Sequence, residues 1–529
     1  MNEIKHIVYL MLENRSIDQL LGWLYDEKNP PKVNVPTQTI PIYDGLKQNT
    51  YFNLDEHGKK HYVVKGTQNN MNVPVHDPHE EYSHINNQVF GSETNPVSFK
   101  KATMSGFYQD FSSYNDCTEQ IMQTYTPEEL PVLNGLARNF AVSDRYFCSV
   151  PSQTNCNRAF AACGNSLGIN DKGQLEAWVN NRNFSYTPPS ASQPEGRQFN
   201  QKTMWNVLSD NGKNQPSDWM IYYSHGDWWE DLLGLEGYCY TRDLMEQLQD
   251  KKFDQHFDKM DTFFDKAKAG TLPSICFLEP EWGLEFPIDD HDYGVNGTDY
   301  HPPTNLAPGE AFVKKIYDAL TSNKEAWTKT LLIINFDEHG GTYDHVAPPW
   351  NATPPWTSDD TPTPDTSELD FKFDRFGVRV PLILVSPLVQ ESTVFRAEGD
   401  TPYDHTSVIA TILTMIGVPK DKWGLGGRTA NAPTFEKLFE DNQVRTDVPL
   451  IEVNANGKTS SVIESESPAN DIHMRIAQSL LNRAIKQKGL GSDTVQGLSL
   501  ASLNNAKTPS ELSMMLKVSL EKVKSVSPK

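Results

Sequence analysis

Cysteine is scarce: Cys117, Cys148, Cys156, Cys163, Cys239 and Cys276 are all that 529 residues contain. None forms a Cys-x-x-Cys pair, which argues against zinc-finger and thioredoxin-type sites, and six scattered thiols are too few for a disulfide scaffold. An isolated bridge among Cys148, Cys156 and Cys163 stays open, with buried free thiols the main expectation. Long apolar runs are also missing, and no stretch approaches the roughly 20 apolar residues of a membrane span. The opening segment, MNEIKHIVYLMLENRS, has a brief apolar run, carries Glu3 and Glu13 and lacks a small-residue cleavage site, so it does not read as a signal peptide. The expectation is a soluble protein, cytoplasmic or exported by a non-classical route. Basic blocks are the third absence. With 47 Lys and Arg against 69 Asp and Glu, the net charge is −22, which argues against nucleic acid as the primary partner. A small phosphate ester is not excluded, because a bound cation inverts the local field.

What is present is a globular balance: 37% hydrophobic, 10% aromatic and 22% charged residues. Four short apolar runs, at residues 7–12 (IVYLML), 272–278 (LPSICFL), 331–336 (LLIINF) and 380–385 (VPLILV), read as buried parallel strands. Amphipathic segments alternate with them. Residues 309–320 put Phe312, Ile316 and Leu320 on one face, and residues 406–416 do so with Ile409, Leu413 and Ile416, capped by Asp404 or Thr406. This alternation predicts an α/β fold with three α/β/α layers and a mostly parallel central sheet, whose ligands sit at carboxyl ends of strands. The catalytic domain is expected over residues 1–450, with polar surface insertions near 28–75 and 164–215. A polar linker at 451–470 and a helical appendage at 471–529 follow.

Polar residues gather at the strand ends. Glu13-Asn14-Arg15-Ser16 follows the first run, and Asp337-Glu338-His339-Gly340-Gly341 then Tyr343-Asp344-His345 follows the third. Carboxylates placed directly after buried strands converge on one sheet edge, where they can capture a divalent cation. Glycines beside them permit close backbone approach. In Ser149-Val150-Pro151-Ser152-Gln153-Thr154-Asn155-Cys156-Asn157-Arg158, Thr154 falls near a helix start that favours a phosphate. Taken alone it is an ordinary cap, and Arg158 is equally a structural or a phosphate-binding residue. The loops His76-Asp77-Pro78-His79-Glu80 and Asp299-Tyr300-His301-Pro302-Pro303 offer imidazoles for a phosphoryl oxygen or a leaving alkoxide.

In their chain order the five patterns resemble the phosphoesterase family, which holds bacterial and fungal phospholipases C, plant non-specific phospholipases C and acid phosphatases. The resemblance runs from about residue 4 to about residue 417 and includes MSGF at 104–107, DRYF at 144–147 and DHTS at 404–407. It implies an alkaline phosphatase-like fold with Glu13, Asn14, Asp337 and Glu338 as metal ligands. Thr154 would be the nucleophile and also touch the metal, with His79 and His301 around the scissile phosphate. Ile17 stands where Phe is usual, and Cys156 where Pro is common. The spacing after His79 is off by one residue, so Glu80 competes with it for that place.

The implied reaction is two in-line displacements, with metal-activated Thr154 attacking phosphorus, a histidine protonating the departing alcohol and water releasing the phosphothreonine. A threonine nucleophile is more like the phospholipases C, whose products are diacylglycerol and a phosphorylated headgroup, than the acid phosphatases, which tend to carry serine. A monoester phosphatase remains the alternative, and a non-catalytic metal-binding or interaction protein ranks lower because the whole constellation is retained. A sulfatase is disfavoured for want of a Cys/Ser-x-Pro-x-Arg pattern. The cation is one or more of calcium, magnesium, manganese, zinc or iron. The partner is a phospholipid or small phosphate ester, with peripheral membrane contact through apolar loops or the helical tail. Tyr222-Tyr223 and Trp228-Trp229 could cage a choline headgroup, with core packing an equal reading.

Overall fold

Apolar runs without polar alternation form the middle of a nine-stranded sheet. In the computed structural model, the described residues are 4–37, 39, 41–91, 102–170, 173–181, 198–224, 239–282, 297–356, 370–440, 443–456, 471–487, 503, 506 and 509–525. In chain order the sheet strands are His6–Leu12 (β1), Val33–Val35 (β2), Ala141–Ser143 (β3), Trp219–Tyr223 (β4), Phe257–Lys259 (β5), Ile275–Leu278 (β6), Thr330–Phe336 (β7), Leu382–Val385 (β8) and Thr393–Phe395 (β9). Across the sheet they lie in the order β5-β4-β6-β1-β7-β8-β3-β9-β2. β7 is buried along its whole length and β1 from Ile7 onward. Successive residues face opposite sides of a sheet, so both faces are covered. Two sets of helices do this. Pro131–Asn139, Met260–Ala269 and Leu306–Ser322 contact one another, as do Thr154–Cys163, Met204–Asp210, His405–Met415 and Gly426–Asn431.

The expected mostly parallel sheet is present, with one correction. β8, the fourth apolar run, is antiparallel to both neighbours, β7 and β3. A strand buried on both faces reads the same in either direction, so its sequence carries no polarity. The two expected helices are Leu306–Ser322 and His405–Met415, the latter capped by Asp404, whose side chain accepts from the Ser407 amide. All six cysteines are free and buried.

The stretches 28–75 and 164–215 are less superficial than their composition implies. The first supplies edge strand β2 and buried Met71 and Val73; the second buries Trp178, Trp205 and Leu208 in the main core. Isolated large side chains within Asn- and Pro-rich sequence escape any periodicity test. Tyr222 and Tyr223 belong to β4 and are buried, with Tyr222 packed on Phe263 at 5.5 Å, which is the core reading of that pair. Trp228 and Trp229 lie outside the described residues. The tail forms helices Asp471–Gln487 and Pro509–Ser525, which pack together and bury Leu480, Leu481, Leu516 and Leu520 in the main core. Among the described residues no helix is long and apolar enough to cross a membrane.

Candidate active site

Register brings the first two motifs together. β1 and β7 are parallel with Leu12 opposite Phe336, so Glu13 and Asp337 leave the sheet side by side. Asn14 turns at φ +56°, a left-handed conformation uncommon outside glycine, and its amide donates to Asp337 Oδ1 at 3.1 Å. The Glu338 amide donates to the same oxygen at 2.7 Å. Gly340 and Gly341 follow at φ +57° and +62°. A Cβ on Gly340 would lie 2.1 Å from the Asn14 carbonyl oxygen, so the glycine is needed for one strand-end loop to lie on the other. Ser16 ties the loops further: its amide donates to Thr342 Oγ1 at 2.9 Å and its hydroxyl to the Tyr343 carbonyl at 2.6 Å. Beneath them, buried Arg379 bonds Asp344 at 3.0 Å and Asp18 at 2.9 Å.

Thr154 is the first residue of helix Thr154–Cys163 and is fully buried. Its hydroxyl lies 3.2 Å from both Glu13 Oε2 and Asn14 Oδ1, two acceptors for one proton. One turn on, Arg158 Nε donates to Glu13 Oε1 at 2.7 Å and lies 3.5 Å from Asp337. Its guanidinium stacks over Trp282 at 4.9 Å. Burial would lower the Arg158 pKa, but Glu13 and Asp337 outweigh it and raise the pKa. Arg158 therefore orients the candidate metal ligands.

The histidine loops separate. His301 is buried, with Nδ1 2.6 Å from the Pro302 carbonyl and Nε2 2.9 Å from Asn14 Nδ2. The carbonyl can only accept, so the network assigns the proton to Nδ1 and a lone pair to Nε2. Burial pushes the His301 pKa down to about 4. A neutral ring with its lone pair at Nε2 suits binding a cation or accepting a proton. His79 is turned away. It lies 3.2 Å from Ser113 Oγ and stacks on His84 at 4.3 Å. Glu80 takes the inward place, accepting from Asn14 Nδ2 and lying 3.5 Å from Gln153 Nε2. The one-residue offset decides which side chain faces the centre.

The charge distribution suits a cation. Burial raises the pKa values of Glu13, Asp337 and Glu338 by stripping water from the charged carboxylates, and the Asp337 charge raises those of Glu13 and Glu338 further. Asp337 Oδ2 and Glu338 Oε1 are buried without a hydrogen-bond donor. Orphaned oxygens in an oxygen-rich pocket are what calcium, magnesium or manganese would satisfy, and His301 admits zinc.

Supporting residues came without a strong sequence signal. His405 Nε2 lies 2.6 Å from the Asp337 carbonyl and its Nδ1 2.7 Å from Tyr146 Oη, which joins DHTS and DRYF to the centre. Tyr240 donates to Asn155 beside Thr154. Three residues on, Asp243 pairs with Arg475 at 3.0 Å and accepts from Ser479 at 2.8 Å. Helix Asp471–Gln487 is thereby anchored near the centre, and its buried His473 lies near His301.

A family model described as "Phosphoesterase family" matches residues 4–419, leaving both tail helices outside the match. "Non-specific phospholipase C6" of Arabidopsis thaliana is 33% identical over 453 residues, covering 84% of this chain and 74% of that protein. "Non-specific phospholipase C4" of the same plant is 32% identical, covering 84% and 73%. "Phospholipase C B" of Mycobacterium tuberculosis is 25% identical, covering 79% and 74%.

Proposed function

This chain belongs to the Phosphoesterase family and is a phosphoric ester hydrolase, and from that premise we propose that it cleaves glycerophospholipids to diacylglycerol and a phosphorylated headgroup, with Thr154 as nucleophile. The observation that carries the chemistry is the Thr154 hydroxyl, held at a helix start between Glu13 and Asn14. The phospholipase C names of its relatives support the substrate class. A divalent cation held by Glu13, Asn14, Asp337 and Glu338 would lower the pKa of the Thr154 hydroxyl and neutralise charge on the phosphoryl oxygens.

The chain's own residues set the rest. The Thr154 Oγ–phosphorus bond forms as the phosphorus–oxygen bond to diacylglycerol breaks; Glu13 is the acceptor placed for the Thr154 proton, and the departing diacylglycerol oxygen takes its proton from solvent water. Arg158 fixes Glu13, and His405 fixes Asp337 through its carbonyl. Water then cleaves the phosphothreonine. Peripheral membrane contact is assigned to the last helix, where Met514 and Val518 are exposed one turn apart.

Mass spectrometry of protein quenched during turnover of a phosphatidylcholine-type diester tests the nucleophile. The expected result is a phosphorylated headgroup on Thr154 and free diacylglycerol. Attachment elsewhere, or release of phosphatidic acid instead of diacylglycerol, would contradict it.

A further inference from the structure

We propose that His76, Asp116 and Cys117 bind a zinc ion at a site of their own, outside the centre that holds Thr154. Phosphoryl transfer at Thr154 makes no use of these three residues. The loop that carries His76 runs beside the turn that carries Asp116 and Cys117. The Val75 amide donates to Gln120 Oε1 at 2.8 Å, and Tyr114 Oη donates to the Asp77 carbonyl at 3.1 Å. Between those two contacts, His76 stacks on the Tyr114 ring at 4.6 Å, with 17° between the planes. The imidazole is thereby held against the turn, and His76, Asp116 and Cys117 each bring one ligand atom within 4.8 Å of the others.

The bonding of His76 points to a ligand. Its Nδ1 is buried without a hydrogen-bond partner, and a polar atom left so costs free energy. Its Nε2 lies 3.8 Å from Asp116 Oδ1, too far for a hydrogen bond. The buried Cys117 thiol has the Tyr114 carbonyl 3.9 Å away and the Asp116 carboxylate beside it. Zinc bonds of about 2.0–2.3 Å at tetrahedral angles set nitrogen, oxygen and sulfur ligands roughly 3.3–3.6 Å apart. The three side chains therefore need to close by roughly 1 Å. Asp116, whose side chain is 73% exposed, can turn inward from solvent to do so. One sulfur, one imidazole and one carboxylate suit zinc over calcium or magnesium, whose ligands are oxygens. Zinc takes the thiol as a thiolate, so the Cys117 proton passes to solvent as the sulfur–zinc bond forms. Water completes the tetrahedron from the side on which Asp116 meets solvent. Bound there, zinc pins the outer end of the loop whose inner end carries Glu80 to Asn14.

Cobalt(II) is the probe, because a thiolate bound to it gives a near-ultraviolet charge-transfer band that oxygen and nitrogen ligands around Thr154 cannot give. The full chain, stripped by chelation, is titrated with cobalt(II) and then challenged with zinc. Wild type should develop the band, and zinc should abolish it. Cys117→Ser should lack the band. His76→Gln should bind this cobalt at least about 10–100-fold more weakly, the loss that even an outer-shell change brings. Circular dichroism checks that each variant folds, and His76→Gln carries the test if Cys117→Ser does not. No band in wild type, a band that zinc leaves in place, a band that persists in folded Cys117→Ser, or equal cobalt affinity in His76→Gln and wild type would each overturn the site and leave Cys117 a core thiol.

Discussion

Gly340→Ala isolates the contact that holds the two strand-end loops together. At φ +57° an alanine pays about 1–2 kcal/mol for the left-handed backbone alone. Its Cβ would also meet the Asn14 carbonyl oxygen at 2.1 Å, against an ordinary carbon–oxygen contact of about 3.3 Å, so the loops must part by about 1 Å. The Gly340 amide donates to Glu338 Oε2 at 2.6 Å, so the displacement falls on Asn14, Glu338 or both. A misplacement of about 1 Å costs roughly a hundredfold in rate. Gly58→Ala is the control, since Gly58 has φ +78° with nothing near its absent Cβ. Urea unfolding should show both variants about 1–2 kcal/mol less stable, and Gly340→Ala the more so. Turnover of a soluble phosphodiester should fall roughly a hundredfold in Gly340→Ala alone. Activity of Gly340→Ala within about threefold of Gly58→Ala, well short of that factor, would refute the reasoning.

Arg379→Met should cost about 3–5 kcal/mol in urea unfolding, because it leaves buried Asp344 without its cation and Asp18 with His345 alone; a loss under about 1 kcal/mol would put the network's charge elsewhere. Burial would lower the His345 pKa, but Asp18 and Asp44 outweigh it and raise it to about 9. A raised histidine pKa stabilises the fold fully below the unfolded value of about 6.5, and that stabilisation is lost as pH rises through about 9. The stability gap between wild type and His345→Gln should therefore shrink across that window, and a constant gap would contradict the pairing. Met514→Asp with Val518→Asp should weaken liposome binding while sparing turnover of a soluble diester, whereas an equal loss of both would make the last helix structural.

The centre was legible where local sequence and topology agree. A buried run followed by Glu13-Asn14, and another followed by Asp337-Glu338, identified two strand ends, and parallel register makes them neighbours. Thr154 was legible as a helix start. The inward residue of the first histidine loop was not, because rotation by one residue exchanges His79 for Glu80, and neither propensity nor periodicity senses that rotation. The direction of β8 was hidden by its uniform burial, and β4 by aromatic residues that read equally as a binding cage. Nor could sequence show that Arg475 and Ser479 reach Asp243, since that contact depends on tertiary packing across 232 and 236 positions.

The most direct test of the central claim compares hydrolysis of a phosphatidylcholine-type diester with that of a simple phosphate monoester, for wild type and Thr154→Ala, with and without chelator. Preference for the diester, with turnover abolished by the substitution and by the chelator, is the predicted result. Preference for the monoester would make the protein a phosphatase with the same site, and full activity in Thr154→Ala would contradict the mechanism.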